Sequence, residues 1–255
     1  MSRKSPDRRV APRARAIVLA AGLGDRLRPL TSKIPKPLLP VAGRPLIEYG
    51  LELLGRHGIR DVVINLHHLH EQISTTLGDG SGLGMRIRYS LEMPEILGTG
   101  GGIKKAEPML SEGTFIVINS DILIDVDLSD VLSFHRQNGA AATMVLREDP
   151  DACKWGAVSV DEGMRVRSVV GRPAVVGKDL KDFMFTGAHV MEPAVFRYMP
   201  AGRPFSITGV TYPDMIAAGE RVLAYLHHGY WTDLGTPERY ESACVDLEAG
   251  RFPPK

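Results

Sequence analysis

Three stretches of the 255-residue chain carry residue types that could act on phosphate. The first, Leu19–Thr31 (LAAGLGDRLRPLT), couples two glycines to two arginines. Gly22 and Gly24 let the backbone approach a ligand closely and aim successive N–H groups at anionic oxygens. Arg26 and Arg28 add planar cations that match phosphate oxygens in pairs and are never deprotonated. Pro29 keeps the stretch from running on as one helix. A few residues later, Pro35–Pro40 (PKPLLP) brackets Lys36 between two prolines, which stiffens the backbone beneath its ammonium. Glycine turn, arginine and pre-set lysine together describe a polyphosphate cradle. It is not a Gly-x-x-x-x-Gly-Lys-Ser/Thr loop, and Leu27 stands where a dinucleotide fingerprint needs its third glycine.

The second set is carboxylate. Asp121 follows the apolar run Phe115–Asn119, and Asp233 follows Tyr230-Trp231-Thr232 in an expected loop before the last helix. Carboxylates at strand ends beside a triphosphate suit Mg2+, a hard ion that takes few protein oxygens and fills its shell with phosphate and water. Asp125 and Asp127 mimic the Asp-x-Asp of sugar-transferring enzymes, but read here as a solvated loop. The third stretch, Leu97–Ile103 (LGTGGGI), opens a helix with a glycine run. Such backbone can lie against a flat heterocycle, and its helix N-terminus favours anions.

These groups need a scaffold, and the apolar pattern supplies one. Ala14–Ala20 is a short apolar run stopped by Ala21-Gly22, as expected of a strand buried on both faces. A helix is expected within Arg44–Gly58, a strand over Asp61–Leu66 and a short helix over His70–Leu77. Met85–Leu91 alternates as a half-buried strand, Gly101–Leu110 reads as a helix and Thr114–Ser120 as a central strand. The alternation predicts an α/β fold, a Rossmann-like three-layer sandwich around a mostly parallel mixed sheet. From Ala140 the strand-like pieces Ala141–Leu146, Ala157–Val160, Arg165–Val170 and Phe185–Met191 crowd together, which predicts an antiparallel or mixed edge. Helices near Thr211–Ala218 and Pro237–Glu248 close the chain. No linker or repeat divides it, so residues 15–255 are expected to form a single domain behind a disordered basic tail, residues 1–14.

Composition narrows the partners. Lys+Arg number 31 against 30 Asp+Glu, so no global field advertises nucleic acid or an acidic membrane. No run approaches the ~20 apolar residues of a membrane span. Cys153 and Cys244 have no metal-ligand spacing and no disulfide framework, which leaves idle thiols and a cytoplasmic setting as the expectation.

The pattern Gly22-x-Gly24-x-Arg26-x-x-Pro29-Leu30-Thr31 followed by Pro35-Lys36-Pro37-Leu38 resembles the sugar-1-phosphate nucleotidyltransferases, or NDP-sugar pyrophosphorylases. The likeness continues through Gly98-Thr99-Gly100-Gly101, Asn119-Ser120-Asp121 and Trp231-Thr232-Asp233-Leu234-Gly235, about Arg15 to Tyr240 in all. The resemblance implies the nucleotide-diphospho-sugar transferase fold and Mg2+-dependent transfer of a nucleotidyl group from an NTP to a sugar 1-phosphate. It implies a nucleoside held by Leu19, Ala20, Ala21, Gly22, Gly98, Thr99, Gly100 and Gly101, with Gly24 and Asp25 on the nucleotide side. Arg26 would bind the departing pyrophosphate, Lys36 would bridge the reacting phosphates, and Asp121 with Asp233 would hold Mg2+. Asn119, Gly156, Arg172, Thr186 and Gly187 would line the sugar phosphate.

Two departures matter. Gly171-Arg172-Pro173 stands where many relatives carry Glu-Lys-Pro, so a sugar contact of that glutamate is missing. A chain ending at Lys255 is also expected to lack the hexapeptide-repeat helix of the bifunctional acetyltransferases. Within the family, Gly100-Gly101-Gly102 and Pro45–Tyr49 (PLIEY) most resemble N-acetylmuramate-1-phosphate uridylyltransferases, with UTP as nucleotide. Mannose- and heptose-1-phosphate guanylyltransferases, which use GTP, share nearly as much. A non-catalytic nucleotide-sugar-binding regulatory protein would show its nature by loss of Lys36 or an aspartate, and neither is lost. A glycosyltransferase using Asp125 and Asp127 would leave Arg26 and Lys36 without a task.

Overall fold

A computed structural model describes residues 14–175 and 179–252. The basic tail over residues 1–13 lies outside the described residues, and Ala14 is buried against the core.

Four parallel strands form the heart of the sheet: β1 (Arg15–Leu19), β2 (Asp61–Leu66), β3 (Arg86–Leu91) and β4 (Phe115–Asn119). Their order is β3-β2-β1-β4, so the chain moves outward twice and then returns to the other side of β1. In open α/β sheets such a reversal leaves a crevice beyond the carboxyl ends of the strands. Both faces are covered, and the period-two rule divides the apolar residues between them. Ala16, Val18, Val62, Ile64, Ile116 and Ile118 face one layer, packed on α1 (Leu46–Arg56) and α2 (His70–Leu77). Ile17, Val63 and Val117 face the other, packed on α3 (Gly98–Lys105) and α4 (Glu107–Leu110). The expected three-layer arrangement is therefore present.

The expected Gly101–Leu110 helix is two pieces. It starts at Gly98, ends at Lys105 with Ala106 as its cap, and resumes at Glu107 with Pro108 in the first turn of α4, where the missing N–H costs no helical bond. The antiparallel edge is also present. After β5 (Ile122–Ile124) and α5 (Leu128–Gln137) come β6 (Ala142–Arg147), the short helix α6 (Ala152–Trp155), β7 (Val158–Val160), β8 (Val166–Val169) and the long β9 (Lys181–Met191). β9 runs antiparallel to β4, β6 and β7, with its β6 register broken between Phe185 and His189. After α7 (Thr211–Ala217), β10 (Val222–Leu226) joins β6 in parallel. β5, α5 and β10 are additions to the expected elements: β5 and β10 are short strands with few apolar residues, whereas α5 carries a helical spacing in Leu128, Val131 and Leu132 behind the Asp127 cap. Asp233 does not sit in a loop: it ends β11 (Trp231–Asp233), which pairs with β5 in a separate two-stranded sheet. α8 (Pro237–Glu248) packs behind it, with Ala243 joining Val41, Leu46, Leu123 and Leu234 in a small third core.

His189 on β9 gives the fold a pH signature. It is fully buried, its Nδ1 lies 2.5 Å from the Tyr212 hydroxyl, and burial pushes its pKa down to about 3. The unfolded chain takes up this proton below about pH 6.5, whereas the folded chain refuses it until about pH 3. Stability is therefore complete at neutral pH and falls as pH drops through that window, by roughly 1.4 kcal/mol per unit from this group. Urea titrations of His189→Gln between pH 6 and pH 4 should show a shallower loss than the parent chain; parallel losses would reject this account.

Candidate functional site

The first strand delivers its glycine turn to the crevice between the carboxyl ends of β1 and β4. Gly24 adopts φ +71°, and a Cβ there would come within 2.9 Å of Thr31 Cγ2, so the position requires glycine on two counts. Thr31 Oγ1 donates to the Gly24 carbonyl at 2.8 Å and closes the turn. Asp25 and Arg28 pair with each other at 2.8 Å on the surface. Arg26 reaches across to Gly235, where its Nη2 would lie 3.1 Å from a Cβ. Lys36 opens a single 3-10 turn behind Pro35, and Pro37 beside it is buried. Its Nζ lies 2.5 Å from Asp121 Oδ2, with the lysine side chain only 11% exposed.

The two aspartates predicted to share a cation do converge. Asp121 occupies the turn between β4 and β5, and its carbonyl accepts the Leu234 N–H at 2.9 Å. Asp233 stands opposite Ile122 in the β5–β11 pair, so the residues flank one strand junction. Burial raises the Asp233 pKa; Arg239, paired with its Oδ1, opposes the rise, the charge of Asp121 adds to it and Lys36 opposes it. Two partly buried carboxylates that feel each other's charge fit a hard divalent cation. Among the described residues no cluster of three or more His, Cys, Asp or Glu could hold a metal, so the rest of such a shell would be phosphate and water.

Beside them lies a cavity of about 200 Å3, lined by Leu19, Ala21, Gly22, Gly98, Thr99 and Asn119 among others, and by Lys36 and Asp121. Of the glycine run, Gly98 and Thr99 face this cavity. Gly100 and Gly101 do not: the Gly100 N–H donates to the Phe205 carbonyl at 3.0 Å, and Gly101 packs on Leu97 and Arg203. Their lack of a side chain serves the approach of the Phe205 segment.

Sequence reasoning missed the network that fixes this wall. The Ala20 N–H donates to Asn65 Oδ1 at 2.8 Å, and Asn65 Nδ2 donates to Glu92 Oε1 at 2.7 Å. The Leu97 N–H donates to Glu92 Oε2 at 2.6 Å. Glu92, fully buried, thus ties the ends of β1 and β2 to the start of α3. The signal was a lone asparagine inside the apolar run of β2. A Cβ on Gly102 would fall 2.6 Å from Asn65 Nδ2 and collide with the Glu92 carboxylate. Alanine gains up to about 1 kcal/mol of helix propensity over glycine, but overpacking a fixed polar pair costs roughly 1–3 kcal/mol, so the clash wins. Gly102→Ala is expected to lower the melting temperature measurably; a rise on thermal denaturation would show that the network yields.

On the remaining side, Gly187 at φ +87° lies against Asn119, whose Nδ2 would be 2.6 Å from a Cβ. Thr186 is buried, with its hydroxyl committed to the Val145 carbonyl and its own carbonyl accepting Trp231 Nε1 at 2.9 Å. Gly156, at φ +89°, follows the exposed Trp155 and packs on Val170. Arg172 is exposed and donates to the Gly209 carbonyl at 3.3 Å, outside the residues that line the crevice. Asp127 caps α5, but Asp125 is not the solvated loop residue expected: its side chain is largely buried, with Oδ1 3.0 Å from His227 Nε2. A larger cavity of about 450 Å3 opens at the amino ends of the strands, but Arg15, Arg86 and nearby Arg88 all engage Asp61 there. Its arginines are thus spent on one carboxylate, whereas the crevice combines two ion pairs, Lys36 with Asp121 and Arg239 with Asp233, with the guanidinium of Arg26.

The sequence matches the family described as Nucleotidyl transferase over residues 15–250, and the chain belongs to that family. It is 34% identical over 241 residues to a UTP–glucose-1-phosphate uridylyltransferase of Synechocystis sp., covering 90% of this chain but 62% of that relative. It is 37% identical over 231 residues to the N-acetylmuramate alpha-1-phosphate uridylyltransferase of Neisseria meningitidis, covering 90% of this chain and 96% of that one. Among solved structures, HddC from Yersinia pseudotuberculosis complexed with GMP-PN superposes with a TM-score of 0.75 at 25% identity, over 92% of this chain and 99% of that chain. Among the described residues, no helix is long and apolar enough to cross a membrane.

Proposed function

We propose that this chain transfers a nucleotidyl group from a nucleoside triphosphate to a sugar 1-phosphate and releases pyrophosphate. The observation that carries the proposal is the convergence of Lys36, Asp121 and Asp233, with Arg26, on one crevice beyond β1 and β4. A phosphate oxygen of the sugar ester attacks the α-phosphorus, and the bond to the β-phosphate oxygen breaks. With a second pKa near 6, the monoester is mostly dianionic at neutral pH, so no strong base is needed. The obstacle is repulsion between two anions brought into line. Lys36 answers it from the Asp121 side and Arg26 from the glycine turn, each as a fixed positive charge. Asp121 and Asp233 would hold a divalent cation, Mg2+ in this reading, which supplies further neutralisation of phosphate charge when bound. The crevice wall from Leu19 to Gly22, with Gly98 and Thr99, would take the nucleoside, while Asn119 and Gly187 would face the acceptor.

UTP with N-acetylmuramate 1-phosphate is the preferred pair, supported by the similarity along nearly the whole Neisseria relative. The guanine nucleotide bound by the Yersinia neighbour favours GTP with a mannose or heptose 1-phosphate as the second choice. Pyrophosphate release should be measured over a matrix of UTP, GTP, CTP, dTTP and ATP against these sugar phosphates with Mg2+. Release with one pair supports the assignment, and silence across the matrix rejects it.

A further inference from the structure

Arg239 occupies the first turn of α8, immediately behind the Thr236 cap and Pro237. A cation there opposes the helix dipole, so helix stability gives no reason for it. Its guanidinium is held from two sides. Nη1 pairs with Asp233 Oδ1, and Cζ lies 4.7 Å from the centroid of the Trp155 ring. Trp155, 44% exposed, meets Trp231 edge-on at 6.2 Å. A planar cation clamped between a carboxylate and an indole is docked at this spot, not merely solvated near it.

Each carboxylate of the crevice then has its own cation, Asp121 with Lys36 and Asp233 with Arg239. We propose that Arg239 is a built-in counter-cation on the Asp233 carboxylate, one that a divalent cation must displace. This rests on the reading of Asp121 and Asp233 as the cation site. With both carboxylates already answered, a divalent cation arriving alone brings surplus positive charge and binds weakly. The same cation arriving with a nucleoside triphosphate brings its own anions. Arg239 therefore couples metal binding to nucleotide binding and limits occupation of the site by metal alone.

The test is binding of Mn2+ alone at pH 8, followed by electron paramagnetic resonance, in the parent chain, Arg239→Gln and Arg239→Lys. Arg239→Gln should bind Mn2+ about fivefold more tightly than the parent, the scale of one modest ion pair. Arg239→Lys, which keeps the charge, should stay near the parent. A second readout needs no substitution at Arg239. The chain has two tryptophans, so Mg2+ titration should change the emission of the parent as the guanidinium leaves Trp155. Trp155→Phe should remove that change. Unchanged or weaker Mn2+ affinity in Arg239→Gln, or a parent emission indifferent to saturating Mg2+, would overturn the inference. A parent chain that binds no Mn2+ would instead remove the cation site itself, and this inference with it.

Discussion

Lys36→Ala is expected to lower pyrophosphate-releasing turnover by roughly two to three orders of magnitude, the loss typical when one fixed charge-stabilising group is removed. Lys36 is held by a one-turn 3-10 element between prolines, its side chain is mostly buried, and its ammonium sits against Asp121 at the crevice. In the proposed reaction that charge opposes the repulsion between acceptor and donor phosphates, which grows as they come into line. The effect should therefore fall mainly on kcat, with a smaller change in KM for the triphosphate. Lys36→Arg should not restore activity, because a planar fork cannot occupy the space of a compact ammonium behind Pro35 and Pro37. Circular dichroism should show a folded variant, since Lys36 contributes no apolar packing to the two large cores. Parent-like turnover in folded Lys36→Ala would remove the residue from the chemistry and with it the central support for the proposed reaction.

The central strands were legible because each is buried on both faces. Within ARAIVLA, DVVINL and TFIVINS the apolar residues AIVLA, VVI and FIVI are consecutive, as burial on both faces requires. The glycine turn and Lys36 were legible for a different reason: proline and glycine fix local backbone, so their consequences travel little beyond the stretch itself. The approach of Asp121 to Asp233 depends on a pair of three-residue strands more than a hundred positions apart, whose register no local pattern encodes. Glycine was ambiguous in another way. The run Gly98–Gly102 suggested backbone lying against a ligand, yet only its first part faces the cavity, and Gly100, Gly101 and Gly102 make room for Phe205, Arg203 and Glu92. One residue type answers both demands, and only the neighbours distinguish them. Arg172 shows the reverse case. A motif position suggested the acceptor phosphate, while the structure directs its guanidinium to Gly209.

Asp121→Asn and Asp233→Asn should each reduce turnover by roughly a hundredfold or more and raise the Mg2+ concentration needed for half activity. Asparagine preserves shape and one oxygen donor but removes the charge that a hard divalent cation seeks. The two substitutions should differ in what they release. Asp121→Asn frees Lys36 from its partner, whereas Asp233→Asn frees Arg239. Neither loss should be confused with unfolding, and Asp233 shows why. Burial raises its pKa, so the folded state disfavours its ionised form relative to the unfolded chain, and the charge at neutral pH is a burden on stability. Replacing it by a neutral isostere should leave the melting temperature unchanged or slightly higher while activity falls, the trade expected where a site keeps a strained charge for function. Pyrophosphate release measured across a Mg2+ titration, beside thermal denaturation of the same samples, separates the effects. Unaltered Mg2+ dependence in both variants would assign the two carboxylates to structure alone.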